Sequence, residues 1–204
     1  MNFTECIDNY IETLSIALKS LDKNEIEKFA KILKDGYERE KNIYIFGNGG
    51  SALNACHFAC DINKCVPGSE DKRFKIITLS DNIASVTACA NDFGYENVFL
   101  NQLKNFLREG EIVIGISGSG NSVNVLKAVE YANSVKDVTT VGLTGYDGGR
   151  LRQIVHHSVN ANIDDMQISE DIHLILSHML MKIIPEAVAP YVSIAAEQNS
   201  LGAV

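Results

Sequence analysis

Beyond residue 40 the chain alternates short, continuously apolar runs with segments of helical period, a pattern best satisfied by parallel strands covered with helices on both faces. The runs Asn42–Phe46, Phe74–Leu79, Ile112–Ile116 and Thr139–Leu143 read as strands buried on both sides, with a weaker fifth near Ser158–Ala161. Most of them stop at Gly or Ser. Helices are predicted between them at 51–64, 83–91, 97–107 and 121–134, and a last apolar helix at about 169–186 leads into a tail, 187–204, with little pattern. Upstream, apolar positions recur at three- and four-residue steps (Ile7, Tyr10, Ile11 and Leu14, then Ile26, Phe29, Ala30 and Leu33 after Asn24), so two long helices over 4–38 precede the first strand. The predicted fold is α/β: a three-layer sandwich with a five-stranded parallel sheet flanked by helices. At 204 residues the chain is expected to form a single domain, with N-terminal helices over 1–40, an α/β core over 41–186 and the C-terminal tail.

Charge and composition narrow the partners. The formal charge of -8 is spread along the chain, and no Lys/Arg block is present that could neutralise a phosphate backbone or an anionic membrane, so neither nucleic acid nor membrane is an expected partner. The N-terminal segment MNFTECIDNYIETLS carries acids where a secretory signal carries bases, and no apolar run approaches the roughly 18 residues of a membrane span. A cytoplasmic protein is expected. Its cysteines, Cys6, Cys56, Cys60, Cys65 and Cys89, are odd in number and are read as reduced thiols; Cys56, Cys60 and Cys65 cluster without a CxxC pair and are read as packing residues.

Two segments at strand-to-helix junctions carry the chemistry: GNGGSA at 47–52 and GISGSGNS at 115–122. In an open α/β sheet, ligands bind outside the carboxyl ends of the strands. Glycines let the backbone approach an anion closely, while N–H groups at the following helix start and the hydroxyls of Ser51, Ser117, Ser119 and Ser122 can donate to phosphate oxygens. Neither segment has the GxxxxGK[ST] pattern of nucleoside-triphosphate binding. The first also fits a loose dinucleotide pattern through Gly47, Gly49 and Ala52, but no acidic ribose ligand stands roughly 20 residues beyond it, so no nucleotide cofactor is expected.

GNGGSA followed by HFACD, then CANDFGYENVF, REGEIVIGISGSGNSVNVLKA, VGLTGYDGG and EDIHLILSHML together resemble a sugar isomerase (SIS) domain of the phosphoheptose isomerase family, over about residues 40–185. The resemblance implies a flavodoxin-like or Rossmann-like SIS domain, a homotetramer, and interconversion of sedoheptulose 7-phosphate and D-glycero-manno-heptose 7-phosphate. It also implies that Ser117, Ser119 and Ser122 bind phosphate, with Asn48 and Ser51 lining the sugar. Gly118 stands where the family usually has Thr, so one donor is missing. Asn91 and Asp92 match a family motif near the sugar, and equally suit an Asn-Asp turn before Gly94.

By the same resemblance, acid/base and zinc positions fall on His57, Asp61, Glu170 and His178, with Asp61 in place of the usual Glu and Glu170 in place of Gln. His57 and Asp61 are i, i+4 on the 51–64 helix, where they share a face and could meet one ion, one substrate or simply each other. Glu170 after Ser169 also reads as a first-turn acid behind an N-cap. His178 sits in the apolar stretch LILSHMLMKII, where a core histidine is as natural as a ligand. Eight residues separate Glu170 from His178, roughly 12 Å along a helix, which strains a model in which both hold one ion from one unbroken helix. His156 and His157 are read as solvent-facing.

The chemistry such a site allows is aldose–ketose isomerisation, with Asp61 and His178 as the proton carriers and a zinc ion as a Lewis acid for the carbonyl oxygen. Asp61 is one methylene shorter than Glu, about 1.5 Å of reach. The alternative is a non-catalytic SIS domain that senses a sugar phosphate or serves as a protein-binding scaffold; the paired proton carriers favour the enzyme.

Overall fold

The computed structural model describes residues 2–65 and 72–201, with side chains at 2–64 and 72–188. Two helices, α1 (Phe3–Ser20) and α2 (Lys23–Glu38), lead into β1 (Asn42–Phe46) and α3 (Gly49–Cys65). Then come β2 (Lys75–Thr78), α4 (Ile83–Phe93), a 3-10 turn at Tyr95–Asn97 and α5 (Val98–Phe106). The remainder is β3 (Ile112–Ser117), α6 (Val123–Ser134), β4 (Thr139–Gly145), α7 (Gly149–Ile154), β5 (His157–Ala161) and α8 (Met166–Leu201). All strands pair in parallel, in the order β2-β1-β3-β4-β5.

Period-two alternation along each strand builds the three layers. Ile43, Ile45, Ile112, Ile114, Val141 and Leu143 face one side, where Phe29 and Leu33 of α2, Phe58 and Ile62 of α3, and Ile172, Leu176 and Leu180 of α8 cover them. Tyr44, Phe46 and Val113 face the other, under Phe99 and Leu103 of α5, Val125 and Val129 of α6 and Leu151 of α7. Only a strand with apolar residues at every position satisfies both faces, which is why these runs are continuous rather than alternating. The edge strand β2 departs from that rule, with Lys75 and Ile77 exposed. Among the described residues no helix is long and apolar enough to cross a membrane.

Most predicted elements stand within a few residues of their expected bounds, and the exceptions have physical causes. The final helix starts at Met166, capped by Asp165, whose Oδ1 accepts the Ile168 N–H at 3.0 Å; Ser169 is therefore inside the helix, its hydroxyl donating to the Asp165 carbonyl at 2.7 Å. That helix also runs through the predicted tail to Leu201, because its buried stripe continues from Leu180 through Ile184 to Val188; residues 202–204 lie outside the described ones. Helix α7 was not legible, being six residues long and too short to show a period. His157 does not face solvent as predicted: it opens β5 toward α2, is 7% exposed and bonds the Glu25 carbonyl at 2.7 Å. His156 is exposed, and its Nδ1 accepts the Thr140 N–H at 3.1 Å.

One buried contact fastens α8 to the sheet and makes the fold acid-sensitive. His173 is 3% exposed, its Nε2 bonded to the Thr144 carbonyl at 3.1 Å, and burial pushes its pKa down from 6.5 to about 4. Between those two values the unfolded chain binds the proton and the folded one does not. The stabilisation is therefore complete above pH 6.5 and lost as pH falls through about 4, by on the order of 3 kcal/mol. His173→Gln, which keeps a donor for Thr144 but cannot titrate, should lose less stability than wild type between pH 7 and pH 4, as measured by urea unfolding at each pH.

Candidate active site

The strand order reverses at β1, which has β2 on one side and β3 on the other, so the carboxyl ends of β1 and β3 lie side by side with Phe46 opposite Gly115. Both Gly/Ser segments leave from there. They enclose a cavity of about 300 Å³ lined by Asn48, Ser51, Ser117, Ser119, Ser122 and the glycine backbone, and closed by Met166 and Glu170 of α8. Ser122 is the N-cap residue of α6 yet makes no capping bond with its side chain; its Oγ lies 3.0 Å from Ser117 Oγ. The α6 N-terminus therefore keeps donors for an anion. The loop is braced from behind, where Gly118 O accepts the Gly145 N–H at 2.8 Å and Gly120 O accepts the Leu151 N–H at 2.8 Å. Gly120 has φ +66°, and a β-carbon there would lie 2.0 Å from the Gly148 carbonyl oxygen, so no other residue fits that turn.

Asn48 is held by two residues that sequence reasoning missed. Its Nδ2 donates to Asn124 Oδ1 at 2.9 Å, while its own Oδ1 accepts from Asn124 Nδ2 at 2.8 Å and from the Tyr95 hydroxyl at 2.7 Å. Asn124 is 3% exposed and also accepts the Val125 N–H at 2.9 Å. The available signal was a polar residue inside the apolar run VNVL at a helix start. Tyr95 had none, because only the turn after α4 brings it across.

A second cleft of about 300 Å³ shares Gly50 and Glu170 with the first and reaches His57. Helices α3 and α8 run side by side here, tied by Asn54 Nδ2 to the Glu170 carbonyl at 2.9 Å. Where they continue, His57, Asp61 and His178 converge, three of the four positions expected to hold a metal. His57 Nε2 lies 3.0 Å from Asp61 Oδ2 and 3.0 Å from His178 Nε2, and His178 Nε2 lies 3.9 Å from Asp61 Oδ2. The shorter aspartate thus still reaches its partners. Tetrahedral zinc with ligands at about 2.0–2.2 Å separates those ligand atoms by about 3.3 Å, so the three groups fit such an ion and leave a fourth position open. Their side chains are 44%, 26% and 54% exposed.

Glu170, expected among the metal positions, lies outside this group among the described residues. The cause is the helix itself: α8 is unbroken, and eight residues carry Glu170 roughly 12 Å from His178. Its carboxylate sits over the first turn of α3 instead, where a β-carbon on Gly50 would be 2.2 Å from Glu170 Oε2 and where the helix dipole favours a negative charge. Asn91 and Asp92 are exposed in the last helical turn of α4, bonded to each other at 2.8 Å; the turn falls at Gly94, φ +86°, and neither residue lines the two cavities. Next to Glu170, Asp171 accepts from the Tyr10 hydroxyl of α1 at 2.6 Å, which pushes the phenol up to about 12. Cys6, Cys56, Cys60 and Cys89 are free thiols, and the side chain of Cys65 lies outside the described residues.

Sheet order and paired loops define a doubly wound α/β domain with its site at the switch point, and a family model described as SIS domain matches residues 7–145. The chain belongs to the SIS domain family, among its phosphoheptose isomerases. It is 35% identical to the phosphoheptose isomerase of Helicobacter pylori (strain P12), over 85% of this chain and 93% of that one. It is 36% identical to that of Leptospira biflexa serovar Patoc, over 87% and 91%. The solved structure of the Neisseria gonorrhoeae phosphoheptose isomerase superposes with a TM-score of 0.83 at 26% identity, covering 91% of this chain and all of that one.

The Asn48 network gives a direct test of this geometry. Asn124→Ala leaves Asn48 Nδ2 and the Val125 N–H without the acceptor they share and should cost about 1–3 kcal/mol in urea unfolding, whereas Tyr95→Phe, removing one neutral bond, should cost about 0.5–1.5 kcal/mol.

Proposed function

We propose that this protein is a sugar-phosphate isomerase that interconverts sedoheptulose 7-phosphate and D-glycero-manno-heptose 7-phosphate. One observation carries the reading: a serine-lined cavity shares Gly50 and Glu170 as lining with a second cleft that reaches His57, within 3.0 Å of both Asp61 and His178. Ser51 and His57 are six residues apart on α3, roughly 9 Å along its axis, the order of length of an extended sugar phosphate. The phosphate sits on Ser51, Ser117, Ser119 and Ser122 and the N–H groups of the loops. The sugar chain runs past Asn48 and Glu170. Asp61 takes the proton from the carbon beside the carbonyl, and His178 protonates the oxygen of the developing enediolate. The same three groups would hold zinc; a ligated His178 no longer donates a proton, the ion would supply the Lewis acid for the carbonyl oxygen in its place, and the second carboxylate oxygen of Asp61 would remain as the base.

The same reading makes the protein a cytoplasmic homotetramer. Free thiols suit a reducing compartment. The α1 stripe is half covered: Leu14 and Leu18 pack on the core, but Phe3, Ile7 and Ile11 are 73%, 58% and 57% exposed, a row that another copy would bury. The exposed histidines at 57 and 178 likewise need a cover that excludes water from an enediolate.

Asp61→Asn keeps size and removes the base, so turnover of sedoheptulose 7-phosphate should fall by roughly 10²–10⁴ while affinity stays within a few fold. Ser119→Ala should instead weaken binding by about 1–2 kcal/mol in calorimetry. Wild type that exchanges no alpha proton of any heptose or other ketose phosphate with solvent deuterium would make the protein a sensor and not an enzyme. Light scattering should return about 90 kDa, four chains of 22.4 kDa; a mass of one chain would remove the tetramer and the cover it gives the histidines.

A further inference from the structure

One wall of the anion cavity comes from neither Gly/Ser loop. Among the described residues lining that cavity, Ile116 and Met166 carry the apolar side chains, and Ile116 is 2% exposed within β3, so Met166 offers the apolar surface a ligand would meet. Met166 opens α8, one turn before Glu170. Its Sδ lies over Gly118, where a β-carbon would be 2.4 Å from that sulfur and 3.3 Å from Cε. Real atoms do not approach so closely; the bare Cα of Gly118 is a recess and the thioether fills it. The recess itself is rigid, because the Gly118 carbonyl is bonded to the Gly145 N–H at 2.8 Å and the Gly120 carbonyl to the Leu151 N–H at 2.8 Å. The movable partner is the methionine, unbranched and polarizable.

We infer that Met166 is a specificity-determining residue of the anion pocket. Seated in the Gly118 recess, its thioether packs against the carbon chain next to the ester oxygen of a bound sugar phosphate, and so makes the pocket prefer a phosphate ester to inorganic phosphate. The inference rests on the reading of the serine loop as a phosphate site. Serine hydroxyls and backbone N–H groups meet the phosphoryl oxygens, which an ester and free phosphate share; a wall that touches carbon is what separates the two. A side chain at 118 would evict the thioether, and the open space beside it is the cavity.

Calorimetry with sedoheptulose 7-phosphate and with inorganic phosphate, on wild type, Met166→Ala, Gly118→Ala and the double variant, tests this. Met166→Ala should weaken the ester by about fivefold or more and change inorganic phosphate by less than about twofold. Gly118→Ala should weaken both ligands by roughly tenfold, as the thioether enters the cavity, and adding Met166→Ala should restore inorganic phosphate to near wild-type affinity while the ester stays weak. Equal losses for both ligands in Met166→Ala, a Gly118→Ala protein that binds like wild type, or a double variant no better than Gly118→Ala for inorganic phosphate would each overturn the inference with the phosphate site intact. Wild type that binds neither ligand would remove the phosphate site, and this inference with it.

Discussion

Everything at the site depends on β1 and β3 lying next to each other. Their parallel register, from Ile43 opposite Ile112 to Phe46 opposite Gly115, brings two strand ends together that are some seventy residues apart in the chain. Each end releases a Gly/Ser turn and a helix N-terminus into the same space, so hydrogen-bond donors face one cavity from two sides. The register is held by burial on both faces: Ile45 and Ile114 pack under α2, α3 and α8, and Tyr44, Phe46 and Val113 under α5 and α6. A one-residue slip would exchange those faces, which is a cost of several buried side chains at about 1.5–3 kcal/mol each.

The proposed function asks an acidic chain to bind an anion. With a formal charge of -8 and no lysine or arginine lining the cavity among the described residues, attraction has to come from neutral donors held in place: hydroxyls, backbone N–H groups and helix dipoles. Such donors need bracing, and the 145–151 segment provides it through Gly145, Leu151 and the bond from the Arg150 N–H to Asn121 Oδ1 at 3.0 Å. Among the described residues, Glu170 is the one carboxylate on the cavity wall. Its place over the first turn of α3 offsets part of its charge, and as an acceptor it suits sugar hydroxyls rather than the phosphoryl group.

Helix α8 carries several of these tasks at once, and helical period sorts them. Met166, Glu170, His173 and Ser177 follow one another at four- and three-residue steps: the first two meet the cavity, the next two are buried against the sheet side. His178, one position on, turns toward α3 and meets His57 and Asp61. A shift of α8 along its axis would therefore move the cavity wall, the His173 anchor and the histidine trio together.

Much of this was legible in the linear chain. Continuous apolar runs specify buried parallel strands, because only residues apolar at every position can cover two faces, and Gly/Ser at their ends specifies turns that let a backbone approach an anion. The i, i+4 spacing of His57 and Asp61 specifies one helical face. Other features depend on distance through space, which sequence spacing does not encode. That His178 completes the trio while Glu170 does not follows from how α8 crosses α3; that His157 is buried follows from where α2 lies on β5; that Asn124 and Tyr95 orient Asn48 follows from the start of α6 and the turn after α4 meeting at the end of β1. The recess of Gly118 has no meaning in one dimension, since what fills it is a methionine 48 residues further on, brought there by the closing of the sheet at β5. Local pattern is set by side-chain period and turn chemistry, which act between near neighbours. The site was decided by packing, which acts between residues that only the fold makes neighbours.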